Sequence, residues 1–308
     1  MYKIKRETMK KYIITLTTLL LMVACNNKAE LESIDDGTMK FDVEHPAKVT
    51  RATSAGFEEG DEISLFAVEY VNGVAQPLQI AANFINNETL TCTSGVWAPE
   101  RKLYWGDTAL DFYAFYPKID KLQSSTAHIV EIETDQRSIP ADGTMSGYEA
   151  SDFLFAKAEN VQQTDGNVKL QFKHLMSKVT VTLEKGETFE GEFPEDACVN
   201  IYNTNTTAAI NLAQGSVCKY AYGQKKTINA RKISTTEFEA IVVPQFISTL
   251  TPLIEITMGG ISYLLDYSIS FMPGYQHDIS IIINTSPNQE KIEISIDGTI
   301  NDWVNNNN

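Results

Sequence analysis

The sequence is short of positive charge, of cysteine and histidine, and of helical periodicity, and each shortage excludes a class of function. It carries 25 Lys and Arg against 40 Asp and Glu, a formal charge of −15. A body this acidic argues against nucleic acid as a partner and against electrostatic docking on anionic lipid. Four histidines, His45, His128, His174 and His277, lie far apart with no i,i+4 pair and no H-E-x-x-H arrangement. Cysteine is equally sparse, at four residues, with no C-x-x-C spacing that would suit zinc or dithiol redox chemistry. There is no G-x-S-x-G elbow and no phosphate loop. The expectation is a non-enzyme without metal or cofactor. His174, between Phe172 and Leu175, is read as a core or interface residue making one hydrogen bond.

The N-terminus carries an address. Lys3, Lys5, Arg6, Lys10 and Lys11 precede an apolar run from Tyr12 to Val23, too short for the roughly 20 residues of a membrane span but sufficient for a signal-peptide core. The run ends Leu21-Met22-Val23-Ala24-Cys25, and Asn26, Asn27 and Lys28 follow at once. A small residue, a cysteine and an abrupt polar switch are the pattern of a bacterial lipobox, so residues 1–24 are expected to be removed and Cys25 to be acylated. Met22 stands where leucine is commoner. Removal takes away five basic side chains and one acidic one, Glu7, and moves the formal charge from −15 to −19. Beyond Cys25 remain Cys92, Cys198 and Cys218, an odd number that cannot form a complete disulfide framework. Cys198 and Cys218 could pair if their strands are neighbours; three buried thiols are the alternative.

Period-two alternation dominates the remainder. It is visible at Val168, Leu170 and Phe172, at Val179, Val181 and Leu183, at Ile254, Ile256 and Met258, and at Ile279, Ile281 and Ile283. Asn72-Gly73, Asp165-Gly166 and Gly259-Gly260 suit tight turns between such runs. Leu110–Tyr116 is aromatic on both faces, as in a strand lying between two layers. The fold class is all-β. The 284 residues left after Ala24 exceed the size of a usual single core, so two domains are expected, 52–173 and 174–308, preceded by a segment 25–51.

Two terminal strands stand out. Met39, Phe41 and Val43 alternate with Lys40, Asp42 and Glu44, and the small, polar stretch around Arg51-Ala52 that follows has the composition of a protease-sensitive loop. Near the C-terminus Ile292, Ile294 and Ile296 alternate with Lys291, Glu293 and Ser295. Cleavage after Arg51 would free the first strand and open a sheet edge to another chain; an ordinary strand beside a solvated arginine is the simpler alternative. The cluster Glu58-Glu59-Gly60-Asp61-Glu62 lacks the alternating spacing of a calcium loop and reads as a solvated acidic turn.

Several segments, in order, carry a resemblance. They are the Cys25 lipobox, Thr50-Arg51-Ala52-Thr53, the stretch Phe57–Phe66, Tyr104-Trp105, Leu110–Pro117, Asp152–Ala156, Phe172–Val179, Val242–Gln245 and Ile300–Trp303. Over nearly its whole length the chain resembles the fimbrillin (Mfa-like) pilus subunits of anaerobic Gram-negative bacteria. The resemblance implies two transthyretin-like antiparallel β-sandwich domains in tandem and export as an outer-membrane lipoprotein. It further implies release of the N-terminal strand by cleavage between Arg51 and Ala52, and assembly with other pilus subunits by strand exchange on the cell surface. Ile292, Ile294 and Ile296 would then form the donor strand, and stalk, tip and anchor roles stay open, as does a host or bacterial surface ligand. Asp107-Thr108-Ala109 is similar to the short O-glycosylation motif of such bacteria, which makes Thr108 a candidate site. The competing reading is a monomeric glycan-binding lipoprotein with Trp97 or Trp105 as a sugar platform.

Overall fold

The alternating runs become paired strands in the computed structural model, which describes residues 37–46, 56–137, 145–248, 250–284 and 294–303. The first half comprises β1 (Phe41–Glu44), β2 (Glu62–Val71), β3 (Val74–Ala75), β4 (Ile85–Thr93), β5 (Val96–Pro99), β6 (Leu110–Tyr116), β7 (His128–Glu131), the short helix α1 (Gly147–Ser151), β8 (Leu154–Val161), β9 (Val168–Gln171) and β10 (Lys173–His174). Then follow β11 (Ser177–Lys185), β12 (Cys198–Asn205), β13 (Thr207–Asn211), β14 (Ser216–Lys219), β15 (Lys225–Asn229), β16 (Arg231–Lys232) and β17 (Glu237–Val242). The last are β18 (Phe246–Ile247), β19 (Pro252–Met258), β20 (Ile261–Asp266), β21 (Ile269–Ser270), β22 (Tyr275–Ile283) and β23 (Ile294–Asp302). The all-β class holds. Among the described residues no helix is long and apolar enough to cross a membrane.

One sheet gathers the first half in the order β10-β8-β6-β2-β4-β5-β1-β9, with β3 hairpinned onto β2. The second half forms a five-stranded sheet, β16-β17-β11-β22-β23, facing a four-stranded one, β15-β12-β19-β20. A smaller sheet, β14-β13-β7, takes one strand from the first half and two from the second. Gln136, almost fully buried, adds a second link between the halves: its side chain accepts from Ile241 N at 2.7 Å and donates to Ile241 O at 2.9 Å.

Strand β6 explains its double aromatic pattern. Every residue in it is buried. Leu110, Phe112, Ala114 and Tyr116 share a core with Ile63, Leu65, Leu90 and Leu170, whereas Tyr113 and Phe115 join Val179, Phe238 and Ile254 in the other. The first-half sheet is thus covered on both faces, as the composition of this strand implied.

Turn chemistry is mixed in outcome. Asn72 and Gly73 have φ of 52° and 78° and close the β2–β3 hairpin; Gly259 and Gly260, at 56° and 77°, close β19–β20. Asp165-Gly166 does not make a tight hairpin. Gln163–Asp165 is a 3-10 turn, and the strand that follows, β9, pairs with β1 rather than turning back onto β8. Nor is the pairing uniformly antiparallel: β1 runs parallel to β9, and β11 parallel to β22. Parallel neighbours need long crossovers, so these two contacts join segments far apart in sequence. Helix α1 was not foreseen; it is held by a capping box in which the Ser146 hydroxyl accepts from Glu149 N and the Glu149 carboxylate accepts from Ser146 N.

Candidate functional site: the slot held by the N-terminal strand

β1 is only four residues long, yet it closes the first-half sheet. It lies between β5 and β9, with Phe41 opposite both Trp97 and Val168, and Val43 opposite Leu170. Val168 N donates to Lys40 O at 2.8 Å and Phe172 N to Glu44 O at 3.0 Å, while Met39 N donates to Leu103 O at 2.8 Å. The alternation read from the sequence sets its faces. Met39 and Phe41 are buried and Val43 partly so, whereas Lys40, Asp42 and Glu44 are exposed. Phe41 meets Phe112 edge-on, with centroids 6.2 Å apart. On the outer face, Asn167 Nδ2 donates to Asp42 at 2.9 Å and Gln171 Nε2 to Glu44 at 3.1 Å. At roughly 1.5–3 kcal/mol for each large buried apolar side chain, Met39 and Phe41 together contribute several kcal/mol, and this is an upper estimate.

The end of β1 is pinned by rings. His45 meets Phe57 edge-on at 4.9 Å and His174 at 5.9 Å. Phe57 in turn packs against Trp97, Tyr116 and Phe172 at 5.0, 5.3 and 5.5 Å. His45 and Phe57 lie on opposite sides of Arg51 in sequence and touch each other. Arg51 and Ala52 themselves, with Cys25 and Ile292, lie outside the described residues.

His174 ties this cluster to the other terminus. Its Nδ1 is 2.8 Å from Asp152, and its ring stacks on Trp303, just past β23. Among the described residues β23 is an edge strand that pairs only with β22, from Ile283 opposite Ile294 to Tyr275 opposite Asp302. Ile296 is partly buried against the second-half core, but Ile300 is half exposed. The outermost strand therefore shows apolar surface to solvent, a feature that edge strands usually avoid.

Other candidate residues fall as follows. Thr108 and Asp107 are exposed. Trp97 is buried and Trp105 packs edge-on to Phe112 at 6.0 Å, so neither ring stands free as a sugar platform. Their β-strand and loop positions turn both rings into the core. Cys198 and Cys218 are free thiols on strands of different sheets, Cys198 partly buried and Cys218 exposed. The acidic turn is bonded within itself and to neighbouring segments: Glu58 N donates to Asp61 at 2.7 Å, Ser94 N to Glu59 at 2.6 Å, and Lys118 pairs with Glu62 at 3.1 Å. Burial raises the Asp61 carboxyl above its ordinary value, opposed by its hydrogen bonds from Glu58 N and the Tyr116 hydroxyl.

Comparison with known proteins places the chain. A candidate cell adhesion protein from Bacteroides uniformis aligns at 21% identity, over 87% of this chain and 98% of its own, with a TM-score of 0.63. Another from Bacteroides ovatus aligns at 17% identity, over 87% and 97%, with a TM-score of 0.64. The tip fimbrial protein Mfa3 of Porphyromonas gingivalis is a more distant likeness, at 9% identity over 80% and 95% and a TM-score of 0.46. A search of curated proteins gives no match. The family model described as fimbrillin-like matches residues 50–303, and this chain belongs to that family.

Proposed function

We propose that this protein is a fimbrial subunit or adhesin, exported as a lipoprotein on Cys25 and assembled by strand exchange after cleavage between Arg51 and Ala52. The observation that carries the reading is β1. It is bound on both edges and on one face, yet no hairpin links it to either neighbour. Such a strand can leave without unravelling the strands beside it. Its departure would uncover the edges of β5 and β9 and the apolar floor of Trp97, Phe112, Val168 and Leu170, a template for an incoming strand of the same alternation. The segment Ile292, Ile294 and Ile296 is the donor in this reading, and the position of Ile294 and Ile296 in β23, at the edge of a sheet, supports it. The halves 52–173 and 174–308 act as tandem transthyretin-like sandwiches, and the protein is structural, not catalytic. Before processing the acyl chains hold it to the outer membrane, each buried methylene contributing roughly 0.8 kcal/mol; afterwards it resides in the fimbrium with other subunits. The exposed Thr108 is available for O-glycosylation.

The test is N-terminal sequencing and intact mass of the protein taken from its native cell surface. A start at Ala52 supports strand release, and limited trypsin treatment of the uncut chain should then give a ladder of multimers. An acylated Cys25 retained on assembled protein, with no ladder, would overturn the exchange mechanism.

A further inference from the structure

A patch of positive charge lies in the second half of this acidic chain. The forty residues 197–236 contain no Asp or Glu and five basic side chains, Lys219, Lys225, Lys226, Arg231 and Lys232. Three of the five are neutralised by carboxylates from outside the window: Lys226 by Glu131, Arg231 by Glu239 at 2.7 Å, and Lys232 by Glu195 at 4.0 Å. Lys219 and Lys225 are different. Among the described residues neither ammonium has an ion-pair partner, and both line one cavity of about 280 Å³ whose lining includes no acidic side chain. Small-molecule sites run from roughly 300 to 1,000 Å³, so this one suits a single ring with its substituents.

The cavity floor is tied together by hydrogen bonds. Gln245 Nε2 donates to Asn205 O and Val243 O, both at 3.0 Å, and its Oε1 accepts from Asn205 N at 3.0 Å. Asn205 Nδ2 donates to Tyr220 O at 2.8 Å and Oδ1 accepts from Thr207 N at 2.9 Å. Gly223 lies so close to this amide that an added Cβ would come within 2.2 Å of Asn205 Oδ1. At the rim Phe246 is 65% exposed, and Tyr222, between the lining residues Ala221 and Gly223, is 86% exposed. Tyr222 meets Tyr220 edge-on at 5.6 Å, which leaves Phe246 as the open ring lining the cavity.

We propose that this cavity binds a carboxylate-bearing sugar, the acid on Lys219 and Lys225 and the apolar face of the ring against Phe246. A solvated lysine alone would carry no such meaning. Two exposed lysines that line one cavity, neither ion-paired among the described residues, in a protein whose overall field repels anions, mark the place where an anion can be held. The exposed ring beside them selects a ligand with both a charge and an apolar face, which inorganic anions lack. An acidic peptide fits less well, because the cavity is compact. The site is separate from β1 and β23 and does not depend on strand exchange.

Isothermal titration of the full chain with digalacturonic acid, its methyl ester and N-acetylneuraminic acid tests the assignment. The free acid of at least one sugar should bind. Lys219→Gln and Lys225→Gln should each weaken it roughly tenfold, the loss of one charge-assisted hydrogen bond, and Phe246→Ala should weaken it too. Lys169→Gln, on β9, should leave it unchanged. The methyl ester should bind at least tenfold less well than digalacturonate, and the two acids distinguish a uronate from a sialate. Absence of heat with every sugar would overturn the proposal. So would equal affinity for the ester, equal affinity for inorganic phosphate with no effect of Phe246→Ala, or equal affinity for an oligoglutamate peptide.

Discussion

The imidazole of His174 lies flat on the indole of Trp303, with ring centroids 3.6 Å apart and planes 6° from parallel. The same imidazole bonds Asp152 and touches His45, so one side chain contacts the end of β1, the end of β23 and the start of β8. His174→Ala should cost about 1–3 kcal/mol of stability through the lost stack and hydrogen bond. It should also raise amide hydrogen exchange in Thr299–Trp303 more than in β11. Equal exchange in both segments would mean that His174 does not anchor β23.

The faces of β1 predict unequal effects from adjacent substitutions. Phe41→Ala should lower stability by about 3 kcal/mol or more, because the ring is buried among Phe112 and Trp97. Asp42→Ala should change it by about 0.5 kcal/mol or less. Urea melts at constant m-value decide the matter; similar midpoints for the two variants would show that β1 contributes little to the core.

Much of this was legible in the sequence, where local pattern and tertiary need coincide. Met39, Phe41 and Val43 announced their buried face by alternation, and Leu110–Tyr116 its position between two layers. Asn72-Gly73 specified a hairpin because only certain residues accept positive φ at both central positions. What could not be read is non-local. Nothing in β1 indicates that its partners are β5 and β9, and nothing in His128–Glu131 foretells its pairing with Thr207–Ile210. Asp165-Gly166 looked like a hairpin because the same residues serve a 3-10 turn. Trp97 suits a platform in sequence alone, since a ring's direction depends on which way its strand faces. The basic window around Lys219 and Lys225 is hidden in the net charge, which averages over the whole chain.

Acid should weaken the fold through two histidines. His277 is fully buried, its Nε2 accepting from Met272 N at 3.1 Å, and burial lowers its pKa, with Asp278 acting in the opposite sense. Burial also lowers the pKa of His128. A folded pKa below the unfolded one means that the unfolded chain binds protons first. The stability is therefore complete above the unfolded value, about 6.5, and is lost as pH falls from there toward the folded pKa. His277→Gln should flatten the slope of unfolding free energy between about pH 6.5 and 5. An unchanged slope in denaturant titrations would rule out His277 as a contributor.

Thiol reactivity should follow exposure. Cys218 is exposed, Cys198 partly buried and Cys92 buried, with burial raising the Cys92 pKa. Brief alkylation of native protein, followed by peptide mapping, should label Cys218 most and Cys92 least. A disulfide-linked Cys198–Cys218 peptide in the same map would contradict the placement of the two strands in separate sheets.

β1 lies between two unlike edges, one antiparallel and one parallel to it. A strand that replaced it could keep Phe41-like residues inward in either sense, parallel to β9 as β1 is or with both ladders exchanged, because the alternation of faces does not depend on strand direction. If that strand came from the far end of another copy, every junction would join unlike surfaces. Contacts of that type do not close on themselves in pairs; unless their rotation closes a ring, they continue as a polar filament with two different ends. A slot of four residues would then give the fibre its polarity.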